Sequence, residues 1–225
     1  MPIVAGQDML AADVVEVREH TFMAIGDRMT SLALAVATTA VEGTGVATMG
    51  EASCQLSTGA TAAGRAYLHF SAIYGLNPGS SSGLINWDKD FHLRFTILRQ
   101  TTSANAISRV QLKTALTDTD LASDGIGIVI KNYQIYAESY NTARQETDTT
   151  ITMVDLDEYT IDIVHTAGTD VKFYVNGTLM VTHAVAANVP AGENTANLIF
   201  SIDNQTDNIT TYLRVGACIS LWQEE

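Results

Sequence analysis

Residues 158–183 read EYTIDIVHTAGTDVKFYVNGTLMVTH. Tyr159, Ile161 and Ile163 alternate with Thr160 and Asp162. Val171, Phe173 and Val175 alternate with Lys172 and Tyr174. A period of two marks strands that bury one face and leave the other to solvent. The TAGTD stretch turns the chain once. Asn176-Gly177 turns it again, and this dipeptide is a strong hairpin signal because both residues tolerate positive φ. TLMVTH then returns as a third strand. The segment is a β-meander, and it sets the fold class as all-β.

The same rhythm continues on both sides. FHLRFTILRQ at 91–100 puts Phe91, Leu93, Phe95 and Ile97 on one face and His92, Arg94 and Thr96 on the other. AISRVQLKTAL, GIGIVIKNYQIYAESY and TTITMV read as further strands, and NLIFSID and TYLRVGACISLW close the domain. NPGSSSG at 77–83 reads as a loop. Roughly a dozen strands and almost no helix exceed a minimal immunoglobulin-like sandwich and fit a larger two-sheet antiparallel jelly roll. Residues 1–45 differ in texture. AADVVEVREHTFMAIGDRM mixes charges with spaced apolar residues, and SLALAVATTAVEGTGVATMG is small and nearly uncharged. The expected organisation is an extended or short-helical docking arm over 1–45 and a sandwich over 46–225.

Composition narrows the function. Of 225 residues, 46% are hydrophobic and 16% charged, against a usual charged share of about a quarter. Thr, Ala, Ser and Asn fill the gap and give a neutral, hydroxyl-rich surface suited to packed contacts. The net charge of −13 comes with no basic cluster, which argues against nucleic acid and anionic membrane as partners. MPIVAGQDML lacks the layout of a signal peptide, and LALAVA at 32–37 is too short to span a bilayer. Cys54 and Cys218 are too few for a disulfide framework; they fall in the expected first and last strands, where a bond between them is geometrically open, and two reduced, buried thiols are the expected state.

The order DEYTIDI, turn, VKFYVNGTL, MVTH, NLIFSIDNQ and a final LRVGACISLW resembles the concanavalin A-like lectin/glucanase superfamily, especially its laminin-G-type members. INWDKDFHLRFTI at 85–97 resembles the strand that opens such domains. The resemblance spans residues 50–225 and implies the sandwich. It leaves function open, because this fold hosts enzymes, lectins and structural modules alike. The opening PIVAGQDMLAADVVEVRE is similar in style to the starts of tailed-bacteriophage virion proteins.

The glucanases of that superfamily carry Glu, Asp and Glu along one strand, where one carboxylate attacks and another protonates the leaving oxygen. Here TIDIVH puts Thr160 and His165 at the two Glu positions and leaves Asp162 alone. One carboxylate cannot run a two-carboxylate mechanism, so the chain reads as a non-enzyme with no catalytic residues. DTDLASDG offers Asp118, Asp120 and Asp124 as oxygen ligands for Ca²⁺, but its spacing misses the EF-hand loop and no Glu closes it. A solvated turn capped by its own Asp side chains competes with that reading. Tyr133, Tyr136 and Tyr140 gather beside one turn and could stack on a glycan; core or interface packing is the default for each.

The function expected from these observations is that of a bacteriophage structural protein, either a capsid decoration (cement) protein or a tail-associated one. It would dock through its arm on the major capsid or tail protein and self-associate, for example as a trimer, within a virion assembled in the host cytoplasm. The alternative is a lectin-like, receptor-binding carbohydrate module. No cofactor is expected beyond the Ca²⁺ considered above.

Overall fold

The computed structural model describes residues 20–25, 35–49, 53–73, 85–100, 103–115, 119–192, 195–216 and 219–224. Seventeen strands and no helix occur among them. They are β1 (His20–Ile25), β2 (Ala35–Glu42), β3 (Val46–Met49), β4 (Ser53–Ser57), β5 (Arg65–Ile73), β6 (Ile85–Asn86), β7 (Phe91–Gln100), β8 (Ile107–Lys113) and β9 (Gly125–Lys131). There follow β10 (Gln134–Tyr140), β11 (Arg144–Thr152), β12 (Glu158–Thr166), β13 (Asp170–Val175), β14 (Thr178–His183), β15 (Thr195–Asp203), β16 (Tyr212–Gly216) and β17 (Ile219–Glu224).

Two antiparallel sheets form the sandwich. The first runs β14-β13-β12-β7-β16-β4-β3, with β17 also beside β7 and β1 beyond β17. The second runs β11-β10-β9-β8-β15-β5-β2, with the short β6 against β15. Strands far apart in sequence pair within each sheet, as β8 does with β15 and β4 with β16.

Alternation builds the core. Phe91, Leu93, Phe95 and Ile97 of β7, with Ile161 and Ile163 of β12, are buried against Val110, Leu112, Ile126, Ile128, Leu198 and Phe200 of the second sheet. Each such side chain contributes about 1.5–3 kcal/mol by leaving water. Trp87 is wholly buried, tilted against Phe91 and edge-on to His165. His183 of β14 closes one side of the sandwich. Its Nδ1 lies 2.7 Å from Ser139 Oγ of β10, and its Nε2 3.0 Å from Thr147 Oγ1 of β11.

The meander at 158–183 is present as read. Asn176 and Gly177 take φ of 50° and 78°, the doubly left-handed turn that the dipeptide announced. A second such turn, Asn132-Tyr133 at φ 48° and 61°, joins β9 to β10. Tyrosine rarely adopts this conformation. Its ring receives the Arg99 guanidinium, 5.5 Å from the centroid.

Most of the expected arm, residues 1–19 and 26–34, lies outside the described residues, as do the 77–83 loop and Cys218. The described parts of 1–45 are extended rather than helical. β1 pairs with β17 from His20 opposite Glu224 to Ile25 opposite Ile219, and β2 pairs with β5. Cys54 is a buried free thiol whose pKa burial pushes up to about 12.

Candidate functional site

Each sheet turns one face outward, and the polar chemistry of the described residues concentrates on the second sheet. Arg109, Gln111 and Lys113 of β8 point away from the core because Val110 and Leu112 point into it. On β10 the same logic turns Tyr136, Glu138 and Tyr140 outward beside the core residues Ile135 and Ala137. Gln111 and Glu138 are separated by β9, where both have Gly127 as their register partner. A Cβ at Gly127 would meet Val110 O at 2.4 Å and Gln111 Cγ at 2.8 Å. Glycine there lets Gln111 Nε2 reach across and donate to Glu138 Oε2 at 2.7 Å.

The chain from β8 to β9 then folds back over this face. Leu121 is 3% exposed and packs over Gly125, where a Cβ would meet Leu121 Cδ2 at 2.8 Å. Lys113 Nζ donates to Thr119 O at 2.7 Å, and Leu121 N donates to Glu138 Oε1 at 3.1 Å. Arg109 donates to Asp120 Oδ1 through Nε at 3.0 Å and Nη2 at 2.8 Å. Arg144 donates to Glu138 Oε1 at 2.5 Å and Glu146 Oε2 at 2.6 Å, and its Nη1 lies 3.2 Å from Asp120 Oδ2. Lys131 pairs with Glu146 and covers the Tyr136 ring at 4.5 Å. Five of the chain's 12 basic residues, Arg65, Arg109, Lys113, Lys131 and Arg144, thus stand on one face of an acidic protein.

This network assigns the acidic loop. Partial burial pushes the Asp120 carboxyl up. The hydrogen bond and charge of Arg109, with Arg144 and Lys131, outweigh that and hold it below the usual carboxylate range. Two guanidiniums occupy the oxygens that a cation would need. Asp124 sits where the loop closes onto β9, its carbonyl accepting Thr114 N at 2.9 Å, and Asp118 lies outside the described residues. No group of three or more His, Cys, Asp or Glu side chains among the described residues could hold a metal.

Glu138 and Glu146 face each other across the β10–β11 ladder. Two facing carboxylates are what glycosidic bond cleavage requires. Here Arg144 binds both, and Glu138 is 0% exposed, out of reach of any substrate. The pair is a structural clamp. Sequence reasoning missed it because its members come from YAESY and RQETDTT, and only strand pairing brings them together.

On the first sheet, Thr160 and Asp162 lie on the outer face of β12, and His165 lies on the opposite one. The three do not meet. His165 is 1% exposed and stacked on Phe91 at 4.7 Å, with Nε2 3.0 Å from Pro190 O and Nδ1 3.2 Å from Lys89 O. Burial lowers its pKa against the raising effect of those carbonyls. Asp162 Oδ1 accepts from His92 Nε2 at 2.8 Å and stands 3.7 Å from Arg94 Nε.

The three tyrosines do not form one patch. Tyr133 packs on Arg99 at the end of the sandwich. Tyr136 and Tyr140 share the outer face of β10, with Glu138 between them and thus about 13 Å of strand from one to the other.

A cleft of about 370 Å³ opens beside the folded-back loop. Thr119, Asp120, Leu121 and Ala122 form one wall, Arg65, Asp203 and Gln205 the other, with Arg109 between.

No family model matches the chain, and no curated protein matches it. Solved structures do match in fold. A protein of unknown function from Shewanella oneidensis MR-1 aligns at a TM-score of 0.61 and 12% identity, over 95% of this chain and 93% of that one. The binding domain of botulinum neurotoxin serotype C1 aligns at 0.57 and 12% identity, over 85% of this chain and 44% of that one. A structure of botulinum neurotoxin type C, whose cell entry is described as dependent upon interaction with two ganglioside molecules, aligns at 0.56 and 11% identity. It covers 94% of this chain and 49% of that one, so the chain spans less than half of the neurotoxin domains it matches. At these identities the likeness shows a shared β-sandwich fold.

Proposed function

We propose that this protein works by contact rather than by turnover. In the finer form of this reading it is a structural protein of a bacteriophage particle, docked through its N-terminal segment on a capsid or tail protein and self-associated there. The observation that carries the contact reading is the state of its outward carboxylates. Asp162 is tied to His92, Glu138 to Gln111 and Arg144, and Asp120 to Arg109 and Arg144. These groups stabilise a surface and have little capacity left for general acid or nucleophile work. The particle assignment draws on the style of residues 2–19 and on the hydroxyl-rich, weakly charged composition.

Antibodies against the purified chain test this. They should label intact phage particles released by the source strain and detect the chain in the particle fraction of a density gradient. A chain found wholly in the soluble fraction contradicts the particle assignment.

A second reading, carbohydrate recognition, is favoured by the fold shared with neurotoxin binding domains, one of which is described with gangliosides. A glycan array probed with the labelled protein tests it.

A further inference from the structure

We propose that the cleft between the Thr119–Ala122 loop and the ends of β5 and β15 binds a neutral, hydroxyl-rich sugar ring; this rests on the carbohydrate-recognition reading. The lining sets the ligand class. Arg65 and Arg109 bring two positive charges, and Asp120 and Asp203 bring two negative ones, so the lining is neutral in sum. A free anion or cation gains no net Coulomb attraction there. A molecule that both donates and accepts, and carries no charge, can use guanidinium, carboxylate, the Gln205 amide and the Thr119 hydroxyl together. Vicinal sugar hydroxyls meet that description. Ala122 and the edge of Leu121 offer an aliphatic surface for the C–H face of the ring. At about 370 Å³ the cleft lies at the small end of ligand sites, which run from about 300 to 1,000 Å³.

Asp120 is suited to the role. A carboxylate accepts about four hydrogen bonds. Arg109 supplies two, both to Oδ1, and Arg144 Nη1 stands 3.2 Å from Oδ2 as an ion pair, which leaves acceptor capacity on a side chain that is 47% exposed at the cleft.

Both walls are set before any ligand arrives. The loop wall is pinned by the Arg109–Asp120 pair, by Lys113 on Thr119 O and by Leu121 N on the buried Glu138. The opposite wall is pinned by Gln205, which holds a left-handed φ of 56°, donates its N to Asp203 Oδ1 at 2.7 Å and accepts Ala63 N at 2.7 Å. Beside it the buried Asn204 Nδ2 donates to Gly59 O at 3.1 Å. Backbone strain held by surrounding contacts is a feature of ligand sites, and pre-set walls lower the entropy cost of binding. The salt-bridge network of the second sheet thereby acquires a purpose: it fixes the position of a cleft wall.

The test is saturation-transfer NMR and calorimetry on the full chain. The probes are methyl glycosides of glucose, galactose and mannose, N-acetylglucosamine and N-acetylgalactosamine, followed by an array of their oligomers. Ala122→Trp fills the cleft from an exposed position, and Asp203→Asn removes an acceptor at near-constant shape. Arg94→Ala, on the outer face of the first sheet, is the control. The expected result is binding by at least one neutral sugar, weakened about tenfold or more by Ala122→Trp and Asp203→Asn and unchanged by Arg94→Ala; tenfold corresponds to about 1.4 kcal/mol. Binding that survives both cleft variants overturns the cleft assignment and leaves carbohydrate recognition standing. No saccharide bound at millimolar concentration overturns both.

Discussion

The outer faces of the two sheets handle their acidic residues in different ways. On the first sheet Asp162 is held by His92 and approached by Arg94, whose side chains are 39% and 59% exposed. Asp162 itself is buried, but water screens these two partners, and each can be exchanged at small cost. On the second sheet Glu138 is 0% exposed and covered by a loop, with Arg144, Gln111 and the Leu121 amide as its partners. In that setting each partner is obligatory, because a buried charge left unpaired costs far more than a surface one. The same residue types therefore give a carboxylate with exposed, exchangeable partners on one sheet and a fixed scaffold for a cleft on the other.

The sharpest way to break this contrast is Arg144→Ala, which removes the cation bound to Glu138 and leaves it only the Gln111 and Leu121 hydrogen bonds. It should cost about 3–5 kcal/mol in urea unfolding. A loss under about 1 kcal/mol would place both networks in the same class.

Next comes pH. His183 sits neutral between two hydroxyls, and burial lowers its pKa from 6.5 to about 4. The unfolded chain binds this proton first as pH falls, so the stabilisation is complete above about pH 6.5 and is lost progressively toward about pH 4. The order of magnitude is about 3 kcal/mol at 1.36 kcal/mol per pH unit. Unfolding curves between pH 4 and 7 should show this slope, and His183→Gln should flatten it. An unchanged slope in the variant would assign the acid sensitivity elsewhere, His165 being the next candidate.

Gly127→Ala puts a methyl group onto Val110 O and Gln111 and should cost about 1–3 kcal/mol while disturbing the Gln111–Glu138 bond. The smallest effect is expected from Arg94→Ala on the first sheet, about 0–1 kcal/mol, with a weak dependence on salt. A large loss at Arg94 would mean that Asp162 is as tightly committed as Glu138.

The meander at 158–183 was legible because its pattern is local: alternation, a Gly turn and an Asn-Gly turn all lie within one window. The Asn132-Tyr133 turn was placed roughly, but tyrosine gives no cue for a left-handed φ, and its compensation comes from Arg99 on another strand. β1 hid within a charged stretch, since HTFMAI alternates for only a few residues and its pairing with β17 joins the two ends of the chain. The carboxylate clamp was invisible for the same reason. Gln111, Glu138, Arg144 and Leu121 lie on three strands and a loop, and nothing in DTDLASDG announces that Asp120 turns back toward Arg109. TIDIVH was read as lacking the paired carboxylates. Its spacing matched a one-strand motif, but Thr160 and His165 are five positions apart, and an odd separation on a strand places them on opposite faces.

The proposal of contact without turnover rests on the engagement of Asp162, Glu138, Asp120 and Glu146 within the fold. Reducing-end release from β-glucans, galactans and chitin oligomers at pH 5–7 tests it most directly. The account predicts release no faster than with heat-denatured protein. Steady release by the native chain, abolished by Glu146→Gln or Asp162→Asn, would contradict it.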